Sequence, residues 1–230
     1  MIFESKFFNN ISVISTGVAK KLDISNFTLL PLGANVIAKR LRERRILDKI
    51  NLLYVGTFNG RNIDITIEAV RIIKNKRPDL TINYKIFGDG VSSEIAKIRN
   101  AILSNDLNDV VDLAGFLRHD ELENAFVEAD IGVAYVPVTE FYNVQPSTKI
   151  YEYIRSGIPV IATNTDANCE IMDESFGIVV GETPQDFADG MLRLVEKINA
   201  GDIVFSKSIT EQYSWENVVN KLEFLFERMV

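Results

Sequence analysis

LLYVGTFNGRNIDITIEAVRIIKNKRPDLTINYKIFG, residues Leu52–Gly88, reads as one strand–helix–strand unit. Its opening run, Leu52–Gly56, is continuously apolar rather than alternating, the pattern of a strand covered on both faces. Ile63–Asn75 then carries apolar residues at helical spacing, and Thr81–Gly88 returns to a β-rich run that ends on glycine. Strand, crossover helix and strand predict two parallel neighbours in one sheet. The unit repeats. Further strands are expected at Val110–Gly115, Ile131–Val136, Pro159–Thr163 and Phe176–Val180, with helices at Ser92–Leu103, Asp120–Glu128, Thr148–Ser156 and Pro184–Asn199. From residue 50 onward the sequence specifies a doubly wound α/β domain with a parallel sheet.

The flanks differ. Upstream, Ile11–Ser15 and Phe27–Pro31 read as short strands, followed by a basic, helix-prone stretch, Lys39–Arg45. Two strands are too few to close a second sheet, so these residues either extend the main domain or are the tail of another. Downstream, Trp215–Met229 sets Val218, Val219, Leu222, Leu225 and Phe226 at helical spacing, an amphipathic helix that lies against something. No internal repeat or low-complexity segment interrupts the chain.

Composition narrows the function. Of 230 residues 47% are hydrophobic and 25% charged, ordinary for a folded domain. A net charge of -7 argues against a general nucleic-acid or anionic-membrane binder, although local basic spots can still hold a small anion. One cysteine, Cys169, excludes an internal disulfide, and one histidine, His119, speaks against a zinc site. Both suit a reducing, cytoplasmic setting. No apolar run approaches the roughly 18 residues of a membrane span, and the amino terminus lacks the pattern of a signal peptide.

In an open parallel sheet ligands sit outside the carboxyl ends of the strands, so the loops there are the candidates. The first, Gly56-Thr-Phe-Asn-Gly60-Arg61-Asn62, combines two glycines and an arginine before a helix, which suits a phosphate and equally suits a tight turn. It lacks the glycine spacing of the dinucleotide fingerprint. The second, Phe87-Gly88-Asp89-Gly90, would let backbone approach a ligand, or is a plain strand-to-helix turn. In the third, Gly115-Phe-Leu-Arg-His119, the backbone of Phe116 and Leu117 is placed to read a nucleobase edge, and His119 without an evident partner is a weak acid–base candidate.

The fourth is the strongest: Gln145-Pro146-Ser147-Thr148-Lys149-Ile-Tyr-Glu152-Tyr-Ile-Arg-Ser-Gly157-Ile-Pro159-Val160. Ser147 or Thr148 is expected to cap a helix whose free N–H groups point into the cleft. Lys149 stands in the first turn, where the helix dipole disfavours a cation unless an anion is bound. Glu152 follows on a nearby face, within reach of a sugar's vicinal hydroxyls. The alternative is a capped amphipathic helix with Lys149 and Glu152 on a solvated face.

In number and order these segments resemble the donor-binding domain of the retaining GT-B glycosyltransferases, group 1 (family 4). The resemblance runs through Arg61-Asn-Ile-Asp-Ile-Thr-Ile-Glu-Ala69, with Arg61 where the family usually has lysine, then Gly88-Asp-Gly90, Val111-Asp-Leu-Ala-Gly115 and Asp120-Glu-Leu. Glu152, Gly157, Pro159 and Val160 match its "E-x-x-x-x-G-x-P-V", and Ala167-Asn-Cys-Glu170, Phe176-Gly-Ile-Val-Val and Tyr213-Ser-Trp215 also fit. Ser15–Leu22 and Leu30-Pro-Leu-Gly33-Ala-Asn35 look like the end of the family's N-terminal domain and its linker.

The resemblance implies a Rossmann-like C-terminal half of a GT-B fold, with residues 1–45 a remnant of the N-terminal domain and linker, 46–212 the nucleotide-sugar-binding domain and 213–230 a C-terminal helix. It implies a nucleotide-diphosphate sugar as donor substrate, no cofactor and no metal. Arg61 and Lys149 would neutralise the diphosphate as the catalytic cations, Glu152 would bind the ribose, and the N–H groups of Ser147 and Thr148 would meet the phosphates. Gly56, Gly60, Gly88, Gly90, Phe116, Leu117 and Pro146 complete the donor site. A hexosyl group would pass to a glycan, lipid or other acceptor held by the missing domain, which would also carry any peripheral membrane association; this chain alone would be inactive. Two positions depart from the family: Thr57 replaces an arginine, and Val144 a glutamate eight residues before Glu152, for which Glu140 is the candidate substitute. A noncatalytic nucleotide-binding or scaffolding domain of the same fold is the alternative, and a sugar-nucleotide epimerase a third reading.

Overall fold

The computed structural model describes residues 8, 10–38 and 46–227; the Lys39–Arg45 stretch and the end of the C-terminal helix at Met229 lie outside them. The main domain is a six-stranded parallel sheet built from β3 (Lys49–Val55), β4 (Thr81–Phe87), β5 (Val111–Gly115), β6 (Ile131–Ala134), β7 (Val160–Thr163) and β8 (Gly177–Val180). The spatial order is β5-β4-β3-β6-β7-β8. The chain works outward from β3 to β5, then crosses to the other side of β3 and works outward again. The strand order therefore reverses between β3 and β6, the point where a doubly wound sheet opens a crevice. Pairing across that boundary is confined to Leu52↔Ile131 and Leu53↔Gly132, well short of the carboxyl ends.

The central strands β3 and β7 are divided between two cores. On one face Leu52 and Tyr54 of β3 and Ile161 of β7 pack with α2 (Asp64–Lys76), α3 (Ser92–Ser104) and α7 (Pro184–Ala200). On the other, Leu53 and Val55, with Val160 and Ala162, pack with α4 (Glu123–Glu128) and α5 (Thr148–Arg155). Because side chains alternate with period two, a strand buried on both faces must be apolar throughout, and this is why the continuous runs were legible. Tyr153 of α5 fixes the second layer. Its ring lies where a Cβ on Gly132 would come within 2.5 Å, and its hydroxyl donates to the Leu53 carbonyl at 3.0 Å.

The flanking segments differ from expectation in extent. β1 (Ser12–Val13) and β2 (Thr28–Leu29) are two residues each and pair only with one another. Between them lies α1 (Thr16–Lys21), capped by Ser15, whose hydroxyl accepts from Val18 N–H. The expected Asp120–Glu128 helix is split into a 3₁₀ turn, His119–Glu121, and α4, because Glu121 reaches back to the Arg118 N–H and closes a tighter first turn. Like α1, two further short helices, α6 (Asp166–Cys169) and α8 (Lys207–Glu211), are not expected from the sequence, and they are capped by Thr165 and Ser206. The C-terminal helix α9 (Trp215–Glu227) forms, yet Val218 is its only buried residue among those described, and Trp215 and Phe226 remain 51% and 56% exposed.

The carboxyl end of α5 ties both flanks to the domain. Arg155, its side chain 10% exposed, donates to the carbonyls of Ala34 (3.3 Å) and Thr210 (2.6 Å) and pairs with Glu211 at 3.0 Å. Ala34 N–H in turn donates to Tyr213 O at 2.8 Å. Removing the guanidinium leaves those carbonyls without their donor, a loss of about 2 kcal/mol. Arg155→Ala is expected to speed limited proteolysis between residues 206 and 227; an unchanged cleavage rate would show that other contacts hold the segment.

Candidate functional site

The crevice at the switch point contains two adjoining cavities, of about 650 Å³ and about 320 Å³. Gly56, Thr57 and Lys149 border both. The larger lies among the loops after β3, β4 and β5, which are laced together: Gly56 N–H donates to Phe87 O (3.0 Å), Phe58 N–H to Asp89 O (2.9 Å) and Gly88 N–H to Gly115 O (2.9 Å). This lacing explains Gly88. With φ at +155° it takes a conformation that side chains resist, and an added Cβ would stand 1.8 Å from the Gly56 carbonyl oxygen. The glycine is thus required by the neighbouring loop. At Gly90 a Cβ would come within 2.9 Å of Asn59 Oδ1 and of Phe58.

Of the residues expected from the sequence, Gly56, Gly88, Gly90, Phe116, Leu117 and Lys149 line the larger cavity, with His119 at its edge. Gly56, Arg61, Pro146, Ser147, Thr148 and Lys149 line the smaller. Gly60 and Glu152 line neither; Gly60 turns the chain with φ +64°.

Helix α5 brings its amino-terminal turn to the smaller cavity. Ser147 occupies the cap position, but its hydroxyl makes no capping bond, which corrects the expected cap. Its own N–H donates instead to Oδ1 of buried Asn168 at 3.2 Å. Lys149 Nζ lies 2.6 Å from Glu152 Oε2, with the two side chains 21% and 16% exposed. The carboxylate one turn on offsets a cation placed at the wrong end of a helix dipole. Gly157, at φ +67°, ends the helix: its N–H donates to Ile154 O (3.0 Å) and that of Ile158 to Tyr153 O (2.9 Å), a Schellman stop.

The second cation reaches the smaller cavity from a turn. Arg61 Cζ lies 4.4 Å from the centroid of the Tyr142 ring. Tyr54, beneath them, donates to Thr57 O at 2.8 Å, and burial holds its hydroxyl well above the usual tyrosine range although Arg61 pulls it back. Tyr142, Asn143, Asp166 and Asn168 were not singled out from the sequence. They come together only because α6 returns beside the loop between β6 and α5, and spacing along the chain carries no sign of that.

The two departures resolve differently. Val144 lies against α1, its Cγ1 3.0 Å from where a Cβ on Gly17 would be, and its carbonyl accepts from Ser15 Oγ at 2.5 Å. Glu140 lines neither cavity; it is exposed, and its carbonyl accepts from Lys21 Nζ. Thr57 borders both cavities and adds no charge. No helix among the described residues is long and apolar enough to cross a membrane.

The fold and the sequence both have counterparts among known proteins. A D-inositol 3-phosphate glycosyltransferase of Paenarthrobacter aurescens (strain TC1) is 25% identical over 174 residues, covering 74% of this chain and 41% of the relative. The structure of Anabaena Alr3699/HepE in complex with UDP superposes with a TM-score of 0.79 at 14% identity, covering 97% of this chain and 65% of that one. Sucrose-phosphate synthase (tll1590) from Thermosynechococcus elongatus gives 0.73 at 20% identity, covering 96% and 58%. At these identities the structural likeness is one of fold, the Rossmann-like half of a GT-B architecture. The chain spans less than half of that curated relative and under two thirds of either structure. The family described as "Glycosyl transferases group 1" matches residues 49–197, more than half of the sequence. On that match the chain belongs to the group 1 glycosyl transferases.

Proposed function

We propose that the paired cavities hold the nucleotide-diphosphate sugar donor of a glycosyl transfer. One observation carries this reading: Arg61 and Lys149 border the same 320 Å³ cavity, and Lys149 also borders the larger one beside it. A nucleoside fits the larger space, with the backbone of Phe116 and Leu117 at its base. The diphosphate fits the smaller, between the two cations and the first turn of α5, where Thr148 brings a main-chain N–H group while that of Ser147 is given to Asn168 Oδ1. Gly56, Gly88 and Gly90 keep the floor free of side chains, and Gly60 shapes the turn that carries Arg61. Glu152 lines neither cavity and serves by holding Lys149 in place.

The chemistry follows from where charge develops. As the bond from sugar to phosphate breaks, negative charge gathers on the leaving diphosphate. Fixed cations and helix N–H groups stabilise that charge at little reorganisation cost. We assign this work to Arg61 and Lys149, with no metal, in a retaining transfer of a hexosyl group. Residues 46–212 form the donor domain, and residues 1–45 and 213–230 join it to the part of the protein that holds the acceptor, a glycan or lipid at a cytoplasmic or membrane-surface site. By itself this chain would bind donor without transferring sugar.

A noncatalytic nucleotide-binding role is the second reading. It is favoured by Val144, which packs on α1 where the family's glutamate stands. Donor hydrolysis or transfer by the full-length protein separates the two, since a scaffold shows neither.

The test is a melting-temperature screen against nucleoside diphosphates and their sugar conjugates. A ligand at a hundred times its dissociation constant adds about 2.7 kcal/mol, so at least one member should raise the midpoint by roughly 5 °C or more. Flat melting curves across UDP, GDP, ADP and their sugars would sink the donor reading.

A further inference from the structure

Arg61 is fixed at the level of the backbone. It lies between Gly60 at φ +64° and Asn62 at φ +50°, and its N–H donates to Phe58 O at 3.1 Å. A left-handed asparagine is a local cost kept where surrounding structure over-determines it. Here Lys97 Nζ donates to Asn62 Oδ1 at 3.2 Å. The side chain is fixed as well, by the Tyr142 ring 4.4 Å below the guanidinium carbon. No described carboxylate pairs with this guanidinium.

Tyr142 is a firm platform even though it lies midway along the connection from Ala134 to Thr148. Its N–H donates to Thr139 Oγ1 at 3.2 Å, and the next N–H, of Asn143, donates to Thr139 O at 2.8 Å. Asn143 and Asp166 exchange two bonds: Nδ2 to Oδ2 at 2.8 Å, and Asp166 N–H to Oδ1 at 3.0 Å. Ala167 N–H donates to Asn143 O at 3.0 Å, and farther back Val138 N–H donates to Glu182 Oε2 at 2.8 Å. A loop of this length is ordinarily free to sample several shapes, and these bonds remove that freedom just where the ring is carried.

We infer that Tyr142 is the positioning residue for Arg61, holding the guanidinium so that its N–H edge meets the donor's diphosphate; this rests on the donor reading above. The physics favours the pairing. A guanidinium over an aromatic face is attracted to the ring's π-cloud and keeps the N–H donors that point away from the ring for an anion. An arginine without such a contact would have to give up rotamer freedom on binding, whereas one held over a ring has already done so. Tyr142 lines the smaller cavity and not the larger, and therefore acts on the diphosphate and leaves the nucleoside cavity untouched.

Calorimetry tests this with whichever of UDP, GDP and ADP binds most tightly, and with its parent nucleoside. Tyr142→Leu should weaken the diphosphate about tenfold and leave the nucleoside within about twofold, which also shows that the variant is folded. Tyr142→Phe, which keeps the ring, should stay within about twofold of the parent for both ligands. In an Arg61→Ala background Tyr142→Leu should cost nothing further, because its effect runs through the arginine. Tyr142→Leu at parental affinity while Arg61→Ala loses binding would overturn the inference and leave the donor site standing. So would equal losses for diphosphate and nucleoside, or additive losses in the double variant. Binding of none of UDP, GDP and ADP would remove the donor reading and this inference with it.

Discussion

Gly88→Ala is expected to cost the fold about 3 kcal/mol, the sum of a positive-φ penalty and an overpacked contact. The contact is with backbone. A Cβ at position 88 would stand 1.8 Å from the Gly56 carbonyl oxygen and 2.8 Å from the Phe58 ring, and a carbonyl inside a laced loop cannot rotate away as a side-chain tip would. Relief requires the β3 loop to move off, which breaks the bonds from Gly56 N–H to Phe87 O and from Phe58 N–H to Asp89 O. The melting midpoint should fall by roughly 10 °C for a domain of this size. Gly90→Ala is the internal comparison. It needs no positive φ and meets the Asn59 side-chain oxygen and Phe58 Cβ at 2.9 Å, so about 1 kcal/mol suffices. Equal melting of the two variants would show that the loops give way easily and that Gly88 is not demanded by chain packing.

That contrast shows what a sequence states and what it withholds. A glycine at a strand end in Phe87-Gly88-Asp89-Gly90 announces a special backbone, which the sequence alone reads either as approach of a ligand or as a plain strand-to-helix turn. Gly88 borders the larger cavity and is also pressed against the preceding loop, and nothing in the linear order identifies that second neighbour. The strands were legible because burial on both faces forces unbroken apolar runs such as Leu52–Val55, a signature of composition rather than contact. The short helices were not. α1, α6 and α8 have six, four and five residues, too few for a hydrophobic period, so only their caps at Ser15, Thr165 and Ser206 betray them.

Site residues divide the same way. Lys149 was visible because a cation in the first turn of a helix contradicts the local electrostatics, and a local contradiction marks a site. Tyr142 was invisible because it contradicts nothing locally. Its meaning arises from Arg61, some eighty positions earlier in the chain, and from the Asn143–Asp166 brace. The single Val144 exchange was noticed in the sequence. That its side chain would serve the packing of α1 depends on a tertiary neighbour, Gly17.

Lys149→Ala is expected to weaken nucleoside diphosphate binding by roughly a hundredfold, since a charge-assisted contact to phosphate is worth about 2–3 kcal/mol. The same change should barely alter stability, and the separation of the two effects is what makes it informative. Two small contributions oppose each other in the fold. Loss of the 2.6 Å pair with Glu152 removes a few tenths of a kcal/mol for a partly exposed pair at this spacing. Loss of a cation from the amino-terminal turn of α5 returns an amount of about the same size, because the helix dipole opposed it, and Glu152 near that end of the helix is itself favoured. The melting midpoint should therefore move by no more than about 2 °C. If phosphate is what makes Lys149 favourable at this position, the loss will be large for the diphosphate, smaller for the monophosphate and near zero for the nucleoside. A midpoint lowered by many degrees with affinity intact would instead make Lys149 a structural partner of Glu152, and would leave Arg61 as the one cation assigned to the donor.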